Sequence, residues 1–355
     1  MYIEDKISKA TWYELFFDLV FVASAHQLSI LLKETYSFDS TLFFMLLFIP
    51  ILLNWMGHVM FTTRFPKIDT LYHVLTITQI FSILFITVLL GFEEYIIYYF
   101  GLIYGISRFV LSLCYMRRYS EITSGNGFSS LSSVLLFSSL LWIISGYTDY
   151  VLLFWIVAAS IDLFAPLFFR NKLRSIPVSS THLPERLGLL TIIMLGEMIL
   201  STSTIFNTTQ ITLSNSIYFI LGVGIVMFIA RKYFPFLEEK IHGKVFGSGH
   251  YYSYTHMIFY ISLLYLATGF KIAIDKDVFS HFLLVGPLLF FISYGLIYYA
   301  NTPKCFLSFP LVRMVVFTII LIVVYLVDIS TLIKIIILTI SYILYMQLLH
   351  NRNSC

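Results

Sequence analysis

Twelve runs of mainly apolar residues, each about the length of a bilayer-crossing helix, constrain this chain more than any other feature. A hydrocarbon core about 30 Å thick takes about 20 helical residues to cross. Within it every backbone N–H and C=O must be satisfied internally, which favours helices over open strands. The runs cover 11–33, 38–62, 70–91, 94–117, 127–146, 149–171, 184–204, 213–235, 250–272, 279–300, 310–328 and 331–350. They predict an all-α fold, a polytopic membrane helix bundle of twelve transmembrane helices. Composition agrees: 59% of residues are hydrophobic and 12% charged, against roughly 45–50% and 25% in a soluble domain. No cleavable leader pattern precedes the first run, which is expected to stay as an uncleaved anchor.

Charge distribution gives the topology. With the N-terminus and every second loop on one side, sixteen of the 22 Lys and Arg fall there and only Lys33, Lys271, Lys276 and Lys334 fall opposite. Arg108 and Arg186 lie within or at the mouth of helices. By the positive-inside bias both termini face the cytoplasm. The expected partners are the lipid bilayer and a small solute or ion, with no nucleic acid. Cys114, Cys305 and Cys355 show no pairing rhythm, and no His pair has zinc-ligand spacing, so neither disulfides nor a metal or other cofactor are expected.

The first and seventh runs echo each other. Glu14 precedes His26 by twelve residues and Glu185 precedes Glu197 by twelve, each later residue leading on to a Ser, Ser29 or Ser201. Tyr72-His73 and Thr255-His256, then Ile106-Ser107 and Ile292-Ser293, continue the correspondence. The pattern suggests two parallel six-helix halves, 1–176 and 177–355, within one membrane unit. Chance similarity between apolar helices is the competing explanation.

Ionisable residues inside such helices are costly, so each is a candidate for function. At about 1.5 Å rise per residue, Asp18 lies about 13 Å from Lys9, Arg108 about 14 Å from Arg117 and Asp162 about 12 Å from Arg170. Equal depth suggests one buried cluster of Asp18, Arg108 and Asp162, with His58 or His73 as further members. It would serve as a structural brace or in handling a solute or ion. Glu197 has no Lys or Arg at its depth in the second half, which makes it a candidate proton carrier; the alternative is a neutral carboxyl hydrogen-bonded between helices. His26 occupies the matching place in the first half and would face Glu197 near the central axis. His73 and His256 are expected at the interface. Glu185 follows Pro184 at a helix start, where an acidic residue complements the helix dipole. Arg186 is placed to pair with Glu14. Pro50, Pro166 and Pro287 mark possible bends, and Gly101 to Gly105 a close packing face.

Two stretches carry a resemblance. Glu14-Leu-Phe-Phe-Asp-Leu-Val-Phe21 is followed by Gln27-Leu28, and His182-Leu-Pro-Glu-Arg-Leu-Gly188 leads into Leu195-Gly-Glu197. Together they resemble the motifs of the low-temperature-requirement A (LtrA) family, bacterial polytopic membrane proteins linked to growth in the cold. The resemblance marks Glu14, Asp18, His182, Glu185, Arg186 and Glu197, and implies the bacterial inner membrane. His26 departs from the family pattern. No substrate is implied.

A secondary, proton-coupled transporter of a small solute or ion fits the paired halves and buried carboxylates best. The sequence has no P-loop for ATP hydrolysis, and Thr62 to Lys67 does not resemble the loop of major facilitator proteins. The alternative is a lipid-acting membrane enzyme or accessory factor for cold adaptation, built on Glu14, Glu185, His73, His182 and His256 near headgroup level. No catalytic residue is assigned, and an enzyme is the less favoured reading.

Overall fold

The computed structural model describes residues 10–34, 38–123, 130–203, 212–238, 248–301 and 308–350. Both termini and the basic residues Lys6, Lys9, Lys240, Lys244, Lys304 and Arg352 lie outside the described residues.

The chain is an all-α polytopic membrane bundle. Its helices are α1 (Trp12–Glu34), α2 (Phe38–Arg64), α3 (Thr70–Leu89), α4 (Glu93–Thr123), α5 (Ser130–Ser145), α6 (Val151–Phe168) and α7 (Arg170–Leu173). They continue with α8 (His182–Thr202), α9 (Leu213–Glu238), α10 (His250–Lys276), α11 (Phe282–Asn301), α12 (Ser308–Leu326) and α13 (Thr331–His350). Every expected run is a helix, and α7 adds one short turn after Phe169. Among the described residues nine helices are long and apolar enough to cross a membrane, and α5 and α12 are shorter apolar ones. The remaining long helix, α8, carries Glu185, Arg186 and Glu197.

The chain divides into two compact units, Met1–Leu189 with Phe246–His250, and Leu190–Val245 with Tyr251–Cys355. In the first, α1 packs on α2 and α3, α3 on α4, α4 along α5, and α5 on α6. The α4–α5 approach depends on two missing side chains. A Cβ at Gly101 would collide with Ser145 Oγ and the Trp142 carbonyl, and one at Gly105 would meet the Ser139 carbonyl at 2.9 Å. Small residues let membrane helices come this close. In the second unit α9 packs on α13, and α11 on α12 and α13. The apolar stretch of α10 is 94% buried.

Helix α3 shows how lipid inverts the usual amphipathic pattern. Val74, Ile77, Phe81, Phe85 and Val88 face outward, whereas Tyr72, Thr76, Gln79 and Ser82 are buried. Outward apolar groups need no partner in hydrocarbon, and inward polar groups find theirs on neighbouring helices. That polar face is what positions the site.

Candidate functional site

Helix α1 begins with a reciprocal cap. Thr11 Oγ1 accepts the Glu14 N–H at 3.2 Å, while Glu14 Oε2 accepts the Thr11 N–H at 2.8 Å and the Thr11 hydroxyl at 3.1 Å. This Thr-x-x-Glu capping box satisfies two amides that no helical carbonyl could reach. It also fixes the Glu14 carboxylate with Oε1 turned toward α8. There Arg186 Nη1 lies 2.9 Å from Oε1.

One helical turn after Glu14, Asp18 presents its carboxylate on the same face. Its Oδ1 accepts from Arg186 Nη2 at 2.5 Å and from the Trp55 indole N–H at 2.7 Å, and its Oδ2 accepts from Arg186 Nε at 3.3 Å. His182, the first residue of α8, brings Nε2 to 3.4 Å from Glu14 Oε2. All four side chains are buried, none more than 4% exposed. The expected pairing of Arg186 with Glu14 is present; that with Asp18 was not foreseen. Two carboxylates thus share one guanidinium. A single further positive charge balances the cluster, and burial makes balance worth far more than it is in water.

The expected triad of Asp18, Arg108 and Asp162 divides into two separate centres. Asp18 belongs with Arg186 and Trp55, while Arg108 Nη2 pairs with Asp162 Oδ1 at 3.1 Å. Asp162 Oδ2 also accepts from Tyr104 Oη at 3.2 Å and Trp142 Nε1 at 3.1 Å, and Arg108 Nη1 donates to the Leu53 carbonyl at 3.4 Å. Helix rise gives depth but not azimuth, so equal heights on α1, α4 and α6 did not guarantee contact. His58 lies against Phe17 of α1, with ring centroids 4.7 Å apart, and His73 packs edge-on to Tyr13 and Tyr72.

The other candidates are more dispersed. Glu197 is buried in the second unit and accepts the Ser201 hydroxyl at 3.1 Å, whereas His26 is half-buried in the first unit. Glu185 is exposed and accepts the Ala10 N–H at 3.3 Å, in keeping with a helix-start role. His256 is fully buried rather than interfacial: Nε2 lies 2.9 Å from the Tyr233 hydroxyl and Nδ1 lies 2.7 Å from the Tyr252 carbonyl. Its place near a helix start suggested exposure, but the aromatic residues around it enclose it.

Trp55 and Thr76 were not singled out from the sequence, and Tyr72 entered only through the repeat correspondence. A signal existed: Tyr72, Thr76 and Gln79 fall on one face of an otherwise lipid-like helix. Among the described residues no group of three or more His, Cys, Asp or Glu is arranged to hold a metal ion.

A family described as bacterial low temperature requirement A protein (LtrA) matches residues 9–346. An uncharacterized protein of Rhizobium meliloti (strain 1021) is 29% identical over 211 residues, 55% of this chain. The chain covers 50% of that relative's length. No solved structure matches.

Proposed function

This chain belongs to the bacterial low temperature requirement A (LtrA) family, and from that premise we propose that it is a proton-coupled secondary transporter of a small solute or ion. The observation that supports this reading is the charge imbalance at α1 and α8. Glu14 and Asp18 oppose the single guanidinium of Arg186, with His182 Nε2 3.4 Å from Glu14 Oε2. One proton, taken up within the cluster, completes the balance, and its release restores the negative charge. A buried cluster with two such states biases the packing of α1 against α8 in a proton-dependent way.

In this reading 1–176 and 177–355 are parallel six-helix halves in a bacterial inner membrane, with both termini in the cytoplasm. Arg108 and Asp162, each with several partners, form a brace. Glu197 is a second proton-carrying candidate in the other half.

The test is proton movement into proteoliposomes under an imposed pH gradient, followed with a lumenal dye while candidate solutes are added. Wild-type protein should move protons with at least one solute. Glu14→Gln leaves Asp18 and Arg186 balanced and should lose that coupling. Proton movement no greater than in protein-free vesicles with every solute would overturn the proposal.

A further inference from the structure

We propose that His58 is the inner terminus of a proton relay that starts at Glu14 and runs through the hydroxyls of Thr11, Tyr72 and Thr76. The path lies within the first unit. Thr11 Oγ1 lies 3.1 Å from Glu14 Oε2 and 2.6 Å from Tyr72 Oη. Thr76 follows Tyr72 by one turn of α3, which puts both side chains on one buried face, where the two interact electrostatically. Thr76 Oγ1 in turn lies 3.0 Å from His58 Nε2. Tyr72, Thr76 and His58 are buried, so water competes little for these bonds.

Every member of this chain is chemically suited to the task. A hydroxyl both donates and accepts, and an imidazole takes a proton on one nitrogen while carrying one on the other. The neighbouring amides differ: Asn54 and Gln79 are also buried, and Gln79 Nε2 lies 3.5 Å from Asn54 Oδ1. Amides donate and accept hydrogen bonds but do not readily change protonation. The relay therefore ends at His58. Its Nδ1 has no hydrogen-bond partner among the described residues and is the open end of the path.

The transfer balances. Glu14 gives its proton to Thr11 Oγ1, Thr11 gives its own to Tyr72 Oη, Tyr72 to Thr76 Oγ1, and Thr76 to His58 Nε2. Each O–H bond broken in the three hydroxyls is replaced by one formed. The net change is a Glu14 carboxylate and a His58 imidazolium. The charged and titratable groups facing this path are Glu14 and Asp18 on α1, His73 on α3 beside Tyr72, and His182 and Arg186 on α8. Glu14, released as a carboxylate, regains its full ion pair with Arg186.

This inference rests on the proton-coupled reading above, and its test is kept independent of transport. Purified protein in lipid nanodiscs, with neither gradient nor solute, is given a pH jump, and infrared bands of the Glu14 carboxyl and His58 ring are followed in time. The bands are assigned by their loss in Glu14→Gln and His58→Gln. In wild-type protein the two bands should change together in opposite senses. Tyr72→Phe and Thr76→Val should slow that change about 10-fold or more, equivalent to about 1.4 kcal/mol of barrier, with its final amplitude unchanged. Thr76→Ser, which keeps the hydroxyl, should restore the wild-type rate. Unlinked bands in wild type, a wild-type rate in either hydroxyl-deleting variant, or a Thr76→Ser rate as slow as Thr76→Val would each overturn the relay. Relayed exchange without solute-coupled flux would instead count against transport alone.

Discussion

Arg186 holds Asp18 through two nitrogens, Nη2 at 2.5 Å from Oδ1 and Nε at 3.3 Å from Oδ2. This fork joins α8 to α1 and leaves Nη1 for Glu14. A planar guanidinium serves two carboxylates at once, which an ammonium on a flexible stem does not.

Removing that guanidinium should therefore be severe. Arg186→Leu strands two buried carboxylates and should cost about 3–5 kcal/mol of stability, read by unfolding in detergent micelles. Arg186→Lys keeps the charge but not the fork, and should fall between wild type and Arg186→Leu. A lysine variant as stable as wild type would show that the fork is dispensable.

The indole at Trp55 makes a smaller and separable contribution. Trp55→Phe keeps an aromatic ring beside Phe21 but removes the N–H that Asp18 accepts. A hydrogen bond to a charged group contributes about 1.5–3 kcal/mol, and a loss of that order is expected in the same unfolding measurement. In Asp18→Asn the effect of Trp55→Phe should shrink, which a double-mutant cycle will show.

Arg108 and Asp162 should behave as a brace. Arg108→Met or Asp162→Leu alone strands one buried charge and should cost about 3–5 kcal/mol, while the double change to apolar residues should recover most of it. Proton flux should be retained in the double variant. Its disappearance in a well-folded double variant would assign the pair a part in transport.

Acid sensitivity should arise at Asp69, just before α3. Its carboxylate accepts the Tyr72 N–H at 3.2 Å and Arg118 Nη2 at 2.8 Å. Partial burial pushes this carboxyl up, but those two donors outweigh it and hold it below the ordinary aspartate range. A depressed carboxyl stabilises the fold above the unfolded value, about 4, and that contribution disappears as pH falls through the folded value. Asp69→Asn keeps the helix cap without the charge, so its stability should be flat over this acidic window. Asp69→Ala should lose the cap as well, about 1 kcal/mol at neutral pH. An Asn variant with the wild-type acid profile would remove Asp69 from the account.

The helices were readable from apolar run length because lipid imposes one rule on every crossing segment. Pairing between them was only partly readable. Glu14 with Arg186 followed from matched positions at two helix starts, and Arg108 with Asp162 from matched depth. Asp18 was assigned to the wrong cation because depth carries no azimuth and a long Arg side chain reaches a full turn inward. The inward placement of Tyr72 and Thr76 stayed hidden for another reason: hydroxyl residues are common in membrane helices, and only α3's outward apolar face reveals which ones point inward.

The indole contacts have a spectroscopic consequence. Trp55 and Trp142 each give their N–H to a different buried aspartate, Asp18 and Asp162. Each acidic centre therefore carries its own built-in fluorophore, and emission from Trp55, isolated by replacing the remaining three tryptophans, would follow the electrostatic state at Asp18 without any added label.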